Sequence, residues 1–93
     1  MRLRLTQDAA EDIASIREHL GSHNEQAALD FLFRLKKVFA LIRAFPRIGH
    51  VGVVPGTAEL TVPIFPYIII YKIDSVPRNN LTVLRVYHSA RER

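Results

Sequence analysis

The chain has 93 residues, enough for one domain with a single hydrophobic core. Its composition, 48% hydrophobic and 24% charged, is typical of a soluble globular protein, and the absence of cysteine excludes disulfides, thiolate metal sites and a cysteine nucleophile. The formal net charge of +4 favours an acidic protein or a nucleic acid as partner, although a surplus of this size also fits an ordinary solubilising surface.

The sequence shows no sign of export or membrane insertion. The N-terminus enters an alternating pattern without a long apolar segment, so no signal peptide is visible. The longest apolar run, residues 62–71, contains two prolines and is far shorter than the roughly 18 residues that a membrane helix needs. We therefore expect residues 1–93 to form a single cytoplasmic domain with no membrane partner and no cofactor.

The first half of the chain predicts a strand followed by a helical hairpin. Residues 2–6 alternate, and Thr6 can cap a helix that ends near Gly21. Ser22 and Glu25 fit the S-x-x-E capping box of a second helix, which Pro46 terminates. The second helix carries a continuous apolar stripe at helical spacing: Ala28, Phe31, Leu32, Leu35, Val38, Phe39, Ile42 and Phe45. This stripe is predicted to supply most of the core.

The second half predicts a loop and three strands. Residues 46–57 hold three of the four glycines and are expected to form a loop. No metal site is predicted there, because His50 has no second ligand at metal-site spacing. Strands are expected at residues 58–63, 67–73 and 81–88, the middle one apolar on both faces. The fold class is therefore α+β: an N-terminal strand, a helical hairpin and a three-stranded antiparallel meander packed on the hairpin.

The last strand carries the residues of greatest functional interest. Side chains alternate between the faces of a strand, so if Leu84 and Val86 face the core, Arg85 and Tyr87 lie on the open face. Outside residues 6–45 the charge balance is +5, so the basic surface belongs to the sheet and its loops. Each candidate has a structural alternative: Arg85 can pair with Glu59 across the sheet, and His88 can hydrogen-bond a neighbouring loop.

Four motifs in fixed order carry a resemblance to a known family. They are Phe45-Pro46 with Gly49, Gly56 to Val62, Pro66 to Ile73, and Leu84 to Arg91. Together they resemble the RelE/ParE superfamily of toxins from type II toxin–antitoxin modules, and more closely its ParE-like branch. The resemblance spans essentially the whole chain, and it rests on the order and spacing of the motifs.

The resemblance implies a growth-inhibiting toxin that a cognate antitoxin wraps and neutralises in a hetero-oligomer. It places the antitoxin on the apolar strand and its basic neighbour, and the target on the last strand and tail. The antitoxin-binding residues expected on this basis are Tyr67, Ile69, Tyr71 and Arg85. The target-binding residues expected are Arg85, Tyr87, His88, Arg91 and Arg93.

The branch of the superfamily decides the target. RelE-like members are ribosome-dependent mRNA endoribonucleases, whereas ParE-like members inhibit DNA gyrase. A metal-independent ribonuclease needs cations around the developing phosphorane charge, and Ile68, Ile69 and Ile70 stand where a RelE-like enzyme is expected to place an arginine.

This pattern favours the gyrase inhibitor, with no catalytic residue assigned. A RelE-like ribonuclease that uses Arg85 and His88 on ribosome-bound mRNA remains the alternative. A third reading is a degenerate member retained as an antitoxin sink.

Overall fold

The computed structural model describes residues 1–75 and 80–90. The elements follow in this order: β1 (Arg2–Leu5), α1 (Gln7–His23), α2 (Glu25–Ala44), β2 (His50–Val51), β3 (Ala58–Thr61), β4 (Tyr67–Ile73) and β5 (Asn80–His88). The strands form one sheet in the order β1-β5-β4-β3-β2. Strand β1 lies parallel to β5, and the other pairs are antiparallel. The predicted α+β fold of strand, helical hairpin and antiparallel meander is confirmed.

The hydrophobic core lies between the two helices and one face of the sheet. The apolar stripe of α2 supplies Phe31, Leu35, Val38 and Ile42, as the sequence predicted. The prediction was wrong for Phe45, which caps the end of α2 and is 62% exposed. Phe31 is fully buried, and its ring meets the ring of Tyr67 edge to face, with centroids 5.4 Å apart. The sheet contributes the side chains that point towards the helices: Val62, Tyr67, Ile69, Tyr71, Leu81, Val83 and Val86. The sheet therefore has one covered face and one open face.

The helix boundaries confirm one predicted cap and correct another. The Thr6 hydroxyl oxygen accepts a hydrogen bond from the Ala9 amide at 3.0 Å and begins α1, as predicted. The predicted capping box at Ser22 was wrong, because α1 continues to His23 and the Ser22 hydroxyl donates back to the His19 carbonyl at 2.8 Å. Asn24 begins α2 instead, its side-chain oxygen accepting from two amides of the first turn. The second helix ends before Pro46, as predicted.

A β-bulge in β5 breaks the alternation that the sequence predicts. Ile70 pairs with Arg85 and Tyr71 pairs with Val83, so Leu84 is an extra residue. Strict alternation would put Val83 and Arg85 on one face, but the bulge sends Val83 into the core. Beyond the bulge, Val86 is buried and Arg85 lies on the open face, as predicted.

Thr6 fastens the bulge to the start of α1. Its amide donates to the Val83 carbonyl at 3.1 Å, and its hydroxyl donates to the Leu84 carbonyl at 2.8 Å. Strand β1 pairs with β5 only as far as Val83, because the chain turns into α1 after Leu5. The outer edge of β5 beyond the bulge is therefore not covered by a paired strand.

The Tyr71 hydroxyl holds the segment that follows α2 against the sheet. Tyr71 is fully buried, and its hydroxyl donates to the Pro46 carbonyl at 2.8 Å and accepts from the Gly49 amide at 3.0 Å. A Cβ at Gly49 would lie 2.7 Å from that oxygen, so only glycine fits. The segment then enters the short strand β2, where the sequence predicted only a loop.

Removing the Tyr71 hydroxyl tests its role in the fold. We expect Tyr71→Phe to lower the free energy of unfolding by about 1–3 kcal/mol, because it strands a part-buried amide and carbonyl without partners. Urea denaturation followed by circular dichroism measures the change. Tyr87→Phe is the matched control, since the described residues offer its hydroxyl no hydrogen bond; an equal loss in both variants would contradict the assigned role.

The two candidate caps at the helix junction are distinguishable by mutation. Asn24→Ala should lower the free energy of unfolding by about 0.5–2 kcal/mol, the usual cost of losing an N-cap. Ser22→Ala removes only an exposed hydroxyl bond, so its effect should stay within about 0.5 kcal/mol. Thermal unfolding of both variants measures the difference, and a larger effect at Ser22 would restore the capping box.

Candidate partner-binding face

The open face is the side of the sheet that points away from the helices. Its central members are Glu59, Ile68, Ile70, Arg85 and Tyr87. The strand register places them in two rows across the sheet. One row runs from Glu59 through Ile70 to Arg85, and the next contains Ile68 opposite Tyr87. Ile70 is only 9% exposed, so the accessible part of this face combines Ile68 with a cation and an aromatic ring, a composition suited to a macromolecular partner.

Three of the four residues expected to bind an antitoxin lie on the covered face instead. Tyr67, Ile69 and Tyr71 point towards the helices and are at most 5% exposed. Because they form the core, a partner of the folded chain cannot contact them substantially. The alternating residues of β4 that reach the open face are Ile68, Ile70 and Lys72. Strand β4 is apolar on both faces, as predicted, but the site assignment chose the wrong face.

Arg85 is held by a carboxylate from α1. Its Nε donates to Asp12 Oδ2 at 2.8 Å and its Nη2 donates to Asp12 Oδ1 at 3.1 Å. The Val86 amide donates to the same Oδ2 at 2.9 Å. This contact raises the pKa of the Arg85 guanidinium above its ordinary value, chiefly through the hydrogen bond and against the opposing effect of burial. The Arg85 side chain remains 39% exposed, and that of Asp12 17%.

The predicted cross-strand pairing of Arg85 with Glu59 was wrong. Strand β4 lies between their strands, and the register puts Ile70 between the two side chains. The acid that pairs with Arg85 is Asp12. The guanidinium also lies over the ring of Tyr87, with its carbon 4.9 Å from the ring centroid, so Arg85 and Tyr87 form one surface unit.

His88 lies on the other face of β5. Its ring meets the ring of Tyr67 edge to face, with centroids 5.4 Å apart. Its Nδ1 accepts a hydrogen bond from the Ala90 amide at 3.1 Å, so the proton of the neutral ring is on Nε2. His88 therefore bonds the turn that directly follows β5, and the structure separates it from the open-face pair of Arg85 and Tyr87.

A cleft of about 360 Å³ runs beside the Asp12–Arg85 contact, between α1 and the end of β5. Its walls are Asp12, Ser15, Ile16, His19, Tyr67, Val86, His88 and Ala90. The sequence reasoning missed the α1 side of this cleft, because all the candidate residues it named lie between Tyr67 and Arg93. Asp12, Ile16 and His19 recur at i, i+4 and i+7, so they share one side of α1, and that spacing was the available signal.

Two expected target residues, Arg91 and Arg93, lie outside the described residues. Within residues 1–75 and 80–90, no group of three or more histidines or carboxylates is placed to hold a metal ion. Neither α1 nor α2 combines the length and hydropathy that crossing a lipid bilayer demands.

Comparison with known proteins identifies the family of the chain. The family profile of the ParE toxin of the type II toxin–antitoxin system, parDE, matches residues 3–93. No curated protein sequence gives a significant match.

Among solved structures, the chain is similar to the chromosomal ParDE toxin–antitoxin system from P. aeruginosa. The TM-score is 0.81, with 22% identity over 95% of both chains. It is also similar to the intact E. coli RelBE toxin–antitoxin complex, with a TM-score of 0.67 and 18% identity over 97% of this chain and 98% of that chain. The isolated E. coli RelE toxin gives a TM-score of 0.66 and 18% identity over 99% of this chain and 87% of that chain.

At these identities the structural likeness shows the fold, while the profile match over nearly the whole sequence shows the family. Within the RelE/ParE superfamily that the motifs indicated, the chain belongs to the ParE toxin family of type II toxin–antitoxin systems.

Proposed function

We propose that this toxin inhibits DNA gyrase by protein–protein contact and that a cognate antitoxin neutralises it in a hetero-oligomer. The toxin acts in the cytoplasm and carries out no chemical step of its own. Its proposed target-binding surface consists of Arg85 and Tyr87 on the open face, His88 on the opposite face at the end of β5, and the basic residues Arg91 and Arg93 that follow.

One observation carries the choice of gyrase over RNA: each cation on the two central strands is paired with a carboxylate. Arg85 is bound by Asp12 through two hydrogen bonds, and Lys72 lies 3.6 Å from Asp74. A ribonuclease must direct its cations at the phosphorane charge, and losing one preorganised stabiliser typically costs about 10²–10³ in rate. In the free toxin both cations therefore bind a carboxylate of the toxin itself, and a substrate phosphate would first have to displace it.

The surface around Arg85 suits a protein partner. Tyrosine and arginine are the residue types that most often dominate binding energy at protein interfaces. Here the Arg85 guanidinium stacks on the Tyr87 ring, and Ile68 lies directly across the strand pair from Tyr87. The three side chains therefore offer an aromatic, a cationic and an aliphatic contact side by side.

The antitoxin is proposed to bind the same open face. The solved relatives include the intact RelBE toxin–antitoxin complex and a ParDE system, and we extend an antitoxin partner to this chain. It would meet Ile68, Tyr87 and Arg85 and leave the core residues of β4 untouched. Because target and antitoxin then compete for one surface, binding of the antitoxin is sufficient to neutralise the toxin.

Purified toxin should inhibit gyrase supercoiling and should not cleave ribosome-bound mRNA. Tyr87→Ala should weaken gyrase inhibition by about tenfold or more, the loss expected for an interface anchor. Phe33→Ala, which removes an aromatic ring that is 59% exposed on α2, is the matched control and should retain full inhibition. Cleavage of mRNA without gyrase inhibition would overturn the proposal in favour of the RelE-like alternative.

A further inference from the structure

We infer that the Arg85 guanidinium and the Val86 amide form a binding site for a carboxylate of a partner protein, and that Asp12 is the internal occupant of this site. The inference deepens the proposed function, because it names the chemistry that a protein partner would present to the last strand. The existence of the site itself does not depend on gyrase being the target.

Three donors converge on the one carboxylate. Nε and Nη2 of Arg85 bind its two oxygens at 2.8 and 3.1 Å, and the Val86 amide binds Oδ2 at 2.9 Å. Two parallel N–H bonds from a guanidinium are the geometry with which arginine recognises a carboxylate. The backbone amide adds a third donor whose direction is fixed by the strand. The site is thus preorganised by β5, while its occupant comes from a different element.

Asp12 is accessible enough for the carboxylate of a partner to replace it. The Arg85 side chain is 39% exposed and that of Asp12 17%, so solvent reaches both partners. Ion pairs at such exposure stabilise a fold only modestly. The cleft of about 360 Å³ beside Asp12 gives an incoming side chain room to approach. Asp12 accepts hydrogen bonds from two of the five guanidinium N–H groups of Arg85, which leaves other donors for a second oxygen.

The surroundings favour a carboxylate over a phosphate. The donors already match the two oxygens of a carboxylate: Arg85 Nε binds one oxygen and Arg85 Nη2 binds the other. Asp8 lies close enough to influence Arg85 electrostatically, and a group with more negative charge than a carboxylate would be repelled more strongly by it. The cleft walls include the apolar side chains of Ile16 and Val86, which suit the aliphatic stem of a glutamate.

Chemical rescue tests the site. Asp12→Ala should lower the thermal midpoint, and acetate or formate should restore part of the loss by occupying the vacated position. The amide resonance of Val86 should shift in the same titration. Glu11→Ala is the control: it removes the same charge from the neighbouring position of α1, where Glu11 accepts a hydrogen bond from the exposed Gln7 side chain, and should show no rescue. The double variant Asp12→Ala/Arg85→Ala should also lose the rescue.

A second measurement identifies the partner class. A short polyglutamate peptide should bind Asp12→Ala several-fold more tightly than it binds the wild type or Glu11→Ala, with Arg85 Nε and Val86 amide resonances moving. Should Asp12→Ala not fold, Asp12→Ser takes its place, and the wild type titrated with excess peptide must still show those two shifts.

The remaining outcomes overturn the inference. Preferential binding of single-stranded oligothymidylate would show that the site takes a phosphate and not a carboxylate. Absence of both rescue and peptide binding would leave Asp12 as a purely structural partner of Arg85. None of these readouts involves gyrase, so failure here is distinguishable from failure of the proposed function.

Discussion

The edge of β5 is the constraint on which the rest of the structure depends. Strand β5 spans nine residues, but β1 beside it spans four and pairs only with the first part. A sheet edge leaves backbone donors and acceptors without partners, and proteins must cover or satisfy them. Here Thr6 donates hydrogen bonds to the carbonyls at the bulge, and the carboxylate of Asp12 accepts one from the Val86 amide. Side chains from the beginning of α1 thus satisfy the backbone groups at the edge of β5 beyond the end of β1.

The same contact shapes the surface proposed to bind partners. Asp12 binds both the Val86 amide and Arg85, so the guanidinium is fixed at the border between the open face and the cleft. The ring of Tyr87 packs against that guanidinium. The bulge at Leu84 determines which of these side chains face outward. A toxin of the ParE family can in this way present an arginine and a tyrosine on a rigid strand rather than on a loop.

The sequence was sufficient to predict every element except β2, and most of the core. The apolar stripe of α2 and the alternation of β3 are local patterns with a single period, and both predictions were confirmed except at Phe45, where the helix has already ended. Alternation fails for Val83 and Arg85, because a bulge adds one residue to the strand between them. No residue type in β5 predicts this bulge. Ser22 matched a capping box better than Asn24 did, yet α1 runs two residues past Gly21, to His23, and this moved the junction.

The candidate site was predictable only in part. Arg85 and Tyr87 could be placed on the open face because alternation holds beyond the bulge. The face of Tyr67, Ile69 and Tyr71 could not be chosen, because β4 is apolar on both sides and periodicity alone does not say which side the helices cover. Asp12 lies 73 residues before Arg85 in the sequence, so their pairing exists only once α1 has packed on β5.

Amide hydrogen exchange at Val86 tests the central claim most directly. In the wild type, the Val86 amide should be protected to an extent comparable with the interior amides of β4, although no strand covers it. In Asp12→Ala its protection should fall by about tenfold or more while the β4 amides stay protected, since a single hydrogen bond has been removed rather than the fold. Rapid exchange at Val86 in the wild type, or protection that is unchanged in Asp12→Ala, would contradict the account.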